Sequence, residues 1–114
     1  MAMDLIGLNP IGIEGKHFRR NIVSWHYMWD AISALYPEIA NKVEYAYSND
    51  GDGLGKDDCL RLAELISLEM ENETQQLKIY VKENFSRKGI ISPDFTDFND
   101  LMIFLEECGG FEIW

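Results

Sequence analysis

The chain has 114 residues, 46% of them apolar and 26% charged, and its twenty acids against ten bases leave a net charge of −10. That length is one domain's worth of chain, and the near-average composition excludes disorder, collagen and mucin-like stalks. The negative charge repels phosphate backbones and anionic head groups, so nucleic acid is not an expected partner.

Residues 3–8 and 11–13 are apolar, rich in glycine and broken by the turn dipeptide Asn9-Pro10, so they read as short extended pieces. Over residues 21–36 the apolar positions Ile22, Trp25, Trp29, Ile32 and Leu35 or Tyr36 recur at steps of three and four. That spacing is one helical stripe and places Trp25 and Trp29 in the core. Pro37 stops this helix and suits the first position of a short second one. Residues 48–55, SNDGDGLG, hold three glycines among Asn and Asp and read as a loop. Behind it Asp57 or Asp58 can cap a helix whose stripe is Cys59, Leu62, Ala63, Ile66 and Met70.

The stripe weakens over residues 71–76 and resumes with Leu77, Tyr80, Val81 and Phe85, which leaves open one long helix or two. Residues 86–93 read as a connector. After it Phe98, Leu101, Met102, Leu105 and Cys108 share a face, and Gly109-Gly110 supplies a helix stop. The closing FEIW alternates like a strand, which needs a mate, and the N-terminal strand is the natural one. The expectation is a single globular domain over residues 1–114 of the α+β class, dominated by helix: three to five helices packed on a small sheet pairing the N- and C-terminal strands.

The first ten residues show neither a basic leader nor an apolar export segment, and no apolar run approaches the ~20 residues that span a bilayer. A cytoplasmic location is expected, with no membrane association. There thiols stay reduced, so Cys59 and Cys108 read as free, buried side chains. Charge is uneven: residues 1–43 hold four acids and four bases, and the remaining 71 hold sixteen acids and six bases.

Four arrangements carry candidate chemistry. With Gly53 as the sixth residue of a calcium loop, Ser48, Asp50 and Asp52 take the first, third and fifth places. The pattern then fails, because Gly55 stands eighth and Cys59 stands where a bidentate Glu is needed. A turn feeding a helix N-terminus is the better reading of Asp50 and Asp52. The bases Lys16, His17, Arg19 and Arg20 precede Trp25, His26, Tyr27 and Trp29, a mixture that can hold phosphate and base. The competing reading is a core helix whose basic start pairs with the acidic remainder. His17 and His26 are the only imidazoles and support neither a metal helix nor a nucleophile triad. Glu64, Glu69, Glu71 and Glu73 read as a solvated helix face.

Three pieces, FRRNIVSWHYMW from Phe18, NDGDGL from Asn49 and CGGFEIW from Cys108, resemble a set of small, uncharacterised bacterial and phage-associated proteins. In that set the first piece reads as an F-R-N-N stretch running into tryptophans. Phe18, Arg19, Asn21, Trp25 and Trp29 match it, while Arg20, Val23, Ser24 and His26-Tyr27 depart from it. The resemblance implies the single-domain architecture and brings no activity, cofactor or substrate.

The leading functional expectation is a non-enzymatic binding or regulatory module that meets a basic protein partner through its acidic surface, with no cofactor. The alternative is a small-ligand or enzyme site of Arg19, Asn21 and His26 around a pocket lined by Trp25 and Trp29, with Arg19 and His26 roughly 10 Å apart on one helix face. A homo-oligomer stays open, since the resumed stripe at residues 77–85 can pack internally or against a second copy.

Overall fold

The computed structural model describes residues 2–44, 46, 51–71 and 95–114. Among these, four helices pack on a four-stranded antiparallel sheet, an α+β fold. Strand β1 (Ala2–Gly7) turns Met3 and Leu5 inward, both fully buried, while Ile6 on the opposite face is exposed. β1 pairs with β2 (His17–Asn21) in the register Leu5 to Phe18, and on its other side with the C-terminal β4 (Phe111–Ile113) in the register Leu5 to Ile113. The outer strand β3 (Gly53–Leu54) pairs with β4, so the order is β2-β1-β4-β3. The two chain ends lie side by side, as the FEIW alternation implies.

Helix α1 (Ile22–Leu35) starts at Asn21, whose Oδ1 accepts the Ser24 N–H at 2.8 Å. It stops where Tyr36 leaves helical geometry, and Pro37 opens the short α2 (Pro37–Ala40). Helix α3 (Lys56–Glu71) carries Asp57 and Asp58 in its first turn, where negative charge complements the exposed N–H groups. Its stripe of Cys59, Leu62, Ala63 and Ile66 is buried. Helix α4 (Phe95–Glu107) buries Phe98, Leu101, Phe104 and Leu105, then ends at Gly109 and Gly110 with φ of +66° and +99°.

One apolar cluster joins these faces to the sheet. Trp25 is fully buried and Trp29 nearly so, their rings stacked 5.3 Å apart. The polar edge of Trp25 is satisfied by its Nε1–H, which donates to the Ala46 carbonyl at 2.7 Å.

Three local expectations are corrected. Residues 11–13 do not extend; the chain bends and enters a single 3-10 turn, Ile13–Gly15. The basic segment before the tryptophans is edge strand β2 rather than the start of the helix, because pairing with β1 and burial of Phe18 override its polar composition. Gly53 and Leu54, inside the expected loop, form β3, too short to leave a periodic signal. The resumed stripe at residues 77–85 and the connector at 86–93 lie outside the described residues. No described helix is long and apolar enough to cross a membrane.

Candidate functional site

The basic strand is the first candidate. Arg20 is spent on structure: its Nε donates to Asp97 Oδ1 at 2.9 Å, its Nη2 to Asp100 Oδ2 at 2.8 Å, and its Cζ lies 4.4 Å from the Phe18 ring centre. His17 Nε2 and Arg19 Nε lie 2.7 and 3.7 Å from the same Asp4 carboxylate. Lys42 likewise reaches Asp58 at 2.8 Å. Bases of the charge-neutral first third thus reach into the acidic remainder, through Arg20 and Lys42.

The five residues suggested for ligand binding are not gathered around one opening. Arg19 stands on β2 with its side chain 64% exposed, so helical rise does not set its separation from His26. Asn21 is occupied as the cap of α1. Trp25 and Trp29 are interior, and His26 is partly buried on α1. At the metal candidate, Asp50 lies outside the described residues. Asp52 Oδ1 accepts the Gly53 N–H, and its backbone carbonyl accepts that of Ile113. Among the described residues no group of three or more His, Cys, Asp or Glu is placed to hold a metal. Glu64 is exposed, as a solvated helix face requires, while Glu69 is half-buried near Tyr36.

Two features escaped the sequence reading. A cavity of about 600 Å³ opens between α1, α2 and α3, with Leu35, Ile39 and Leu65 as apolar wall and Lys42, Asp58 and Arg61 at its rim. The Tyr36 hydroxyl in its wall is buried without a hydrogen-bond partner among the described residues. Burial, reinforced by the Glu69 carboxylate, pushes its ionisation well above the ordinary tyrosine range.

The second feature is the loop of residues 8–13, which presents Leu8, Ile11 and Ile13 at 54%, 77% and 80% exposure. Such exposure is ordinary at a frayed loop, but this one is held by backbone hydrogen bonds. Leu8 N–H donates to Gly110 O, Asn9 N–H to Cys108 O and Ile11 N–H to Glu107 O, all within 3.0 Å. Glycines allow that approach: a Cβ on Gly15 would collide with the Glu107 carbonyl, and one on Gly109 with the Asn9 carbonyl. Beside the loop lies a largely apolar cleft of about 150 Å³, walled by Ile11 and Leu60 and bordered by Lys56, Glu106 and Glu107. Glu107 Oε2 is buried there without a hydrogen-bond partner among the described residues.

The apolar identity of Leu8, Ile11 and Ile13 was legible in the sequence. Their exposure was not, since it depends on which distant backbone the loop is tied to. Comparison of the chain with protein-family models, with curated proteins and with solved structures finds no match.

Proposed function

We propose that the chain is a non-enzymatic binding module. Its docking surface is the loop of residues 8–13 with Leu60, and its partner is a protein segment combining an aliphatic side chain with a lysine or arginine. The observation that carries this reading is a loop tied down by backbone hydrogen bonds that displays three large aliphatic side chains to solvent, since a backbone already held in place lowers the ordering cost of binding. The adjoining cleft supports the choice of partner. Its apolar wall of Ile11 and Leu60 suits methylene groups, and its border, where the carboxylates of Glu106 and Glu107 outnumber the ammonium of Lys56, is net acidic and suits a cationic head. The net charge of −10 favours encounter with basic partners, increasingly so as salt is lowered. A cytoplasmic setting fits this reading and its reduced thiols.

The test is quantitative capture from cell lysate at low and high salt, comparing the native chain with an Ile11→Asp/Ile13→Asp double variant. Both positions are exposed, so the variant keeps the native urea midpoint. The expected result is a partner set retained by the native chain and lost by the variant. Identical capture by both, or none by either, removes the reading.

The cavity of about 600 Å³ favours a second reading, a small-ligand site, because its size falls in the range of ligand pockets. That reading places the ligand against Leu35, Tyr36 and Leu65 instead of the tryptophans. Thermal-shift screening of metabolites against the native chain and Leu65→Glu decides it; a flat response from the native chain ends it.

A further inference from the structure

Among the described residues the sheet has two outer strands, and they differ in length. β3 spans only Gly53 and Leu54, whereas β2 runs for five residues, His17–Asn21. The phase of the ladder fixes which backbone groups of β2 are already used. Gly7 N–H donates to Lys16 O, in line with the register that sets Leu5 against Phe18 and Met3 against Arg20. Lys16, Phe18 and Arg20 therefore turn their backbone groups towards β1, and those of His17 and Arg19 face away from the sheet. The Arg19 carbonyl accepts the Arg20 Nη1 at 2.8 Å, which leaves it a second lone pair. The outer edge thus offers a donor and an acceptor at each of two alternate residues, the spacing at which an antiparallel strand bonds.

The two sides of this edge also differ. On the face turned from the helices stand the side chains of His17 and Arg19, 46% and 64% exposed. On the helix side a cavity of about 240 Å³ lies between β2 and α4, with Phe18, Ile103 and Phe104 as its apolar lining. Arg20 and Asp100, paired to each other, border it together with Glu14.

We propose that the β2 edge is a second docking site, which takes an extended protein segment as a fifth, antiparallel strand of the sheet. The segment carries an apolar residue opposite Phe18 and an acidic residue on each side of it. Facing residues of adjacent strands share a side of the sheet, so the apolar residue is directed at the cavity. The acidic residues lie beside the side chains of His17 and Arg19. The same rule disfavours a second copy as the occupant, because one β2 edge against another sets bases against bases.

Acids already accompany the local bases, Asp4 beside His17 and Arg19 and Asp97 beside Arg20, and the whole chain stands at −10. Acidic side chains are thus favoured at the two facing positions, where they touch a base, and not along the whole segment, where screened repulsion prevails. Backbone bonding supplies the affinity, and the cavity and the two bases supply the selectivity. The edge lies apart from the loop of residues 8–13, and the inference stands whether or not that loop docks a partner.

The experiment titrates the full native chain, isotope-labelled for amide NMR, at physiological salt. The probe is a capped peptide with Glu-Val-Glu at its centre and threonines on both sides. The expected result is saturable shifts of the His17 and Arg19 amides and slower hydrogen exchange at both, since each N–H gains an acceptor. Two altered peptides separate backbone from charge. One keeps every side chain but is N-methylated at both Glu residues, and the other carries Lys-Val-Lys; neither binds the native chain. Arg19→Glu weakens the Glu-Val-Glu peptide by about tenfold or more, and Arg19→Gln, which sets no new charge beside Asp4, weakens it about threefold. Absence of any shift at millimolar Glu-Val-Glu peptide overturns the proposal. So does undiminished binding of the N-methylated peptide, equal binding of the Lys-Val-Lys peptide, or a response confined to residues 8–13.

Discussion

Arg20 Nε sits 2.9 Å from Asp97 Oδ1, tying edge strand β2 to the first turn of α4 across 77 positions of sequence. The contact is three-sided, since the same guanidinium reaches Asp100 and covers the Phe18 ring. Both Arg20 and Asp97 are only about a quarter exposed, so solvent screens their attraction less than it screens an open surface pair.

Replacing Arg20 therefore costs more than an ordinary surface charge. Arg20→Ala is expected to lower unfolding stability by about 1–2 kcal/mol, read as a reduced urea midpoint. Arg20→Lys recovers only part of it, because a single ammonium cannot span both carboxylates. A midpoint unchanged in Arg20→Ala shows the contact to be energetically idle.

Two glycines of contrasting surroundings give the second expectation. Gly15→Ala drives a methyl group into the Glu107 backbone, which cannot rotate away as a side chain would, and costs at least ~2 kcal/mol. Gly55 faces open space where a Cβ would stand, and its carbonyl accepts the Cys59 N–H as α3 begins. Gly55→Ser places a capping oxygen there and raises stability by roughly a few tenths of a kcal/mol. Denaturant melts of the two variants check the pair, and a harmless Gly15→Ala sinks the account of loop rigidity.

Tyr36 contributes to the loss of stability at alkaline pH. In the folded chain its hydroxyl ionises well above the ordinary value of 10.0, whereas the unfolded chain ionises near that value. The unfolded state thus loses its proton first as pH rises. This contribution to stability is complete below about pH 10 and declines progressively above it. Tyr36→Phe removes that decline. The check is the slope of melting temperature between about pH 9 and 11, which is steeper for the native chain than for the variant; equal slopes refute the assignment.

Where residues contact their neighbours in sequence, the amino-acid order was enough. The three- and four-residue steps of Ile22, Trp25, Trp29 and Ile32 placed the tryptophans inside, and they are buried. Pro37 and Gly109-Gly110 marked the helix ends observed, and the FEIW alternation gave the strand that joins the termini. These signals are local, because helix and strand periods are properties of a few consecutive residues.

Strand β2, the Arg20 anchorage and the exposure of Ile11 and Ile13 were decided by tertiary structure. A polar run such as His17–Asn21 becomes a strand only when β1 supplies hydrogen bonds beside it. An aliphatic side chain is exposed or buried according to where its backbone is held. Here Ile11 is held outward by Glu107, 96 positions away, and no periodicity over neighbouring residues encodes a contact at that range.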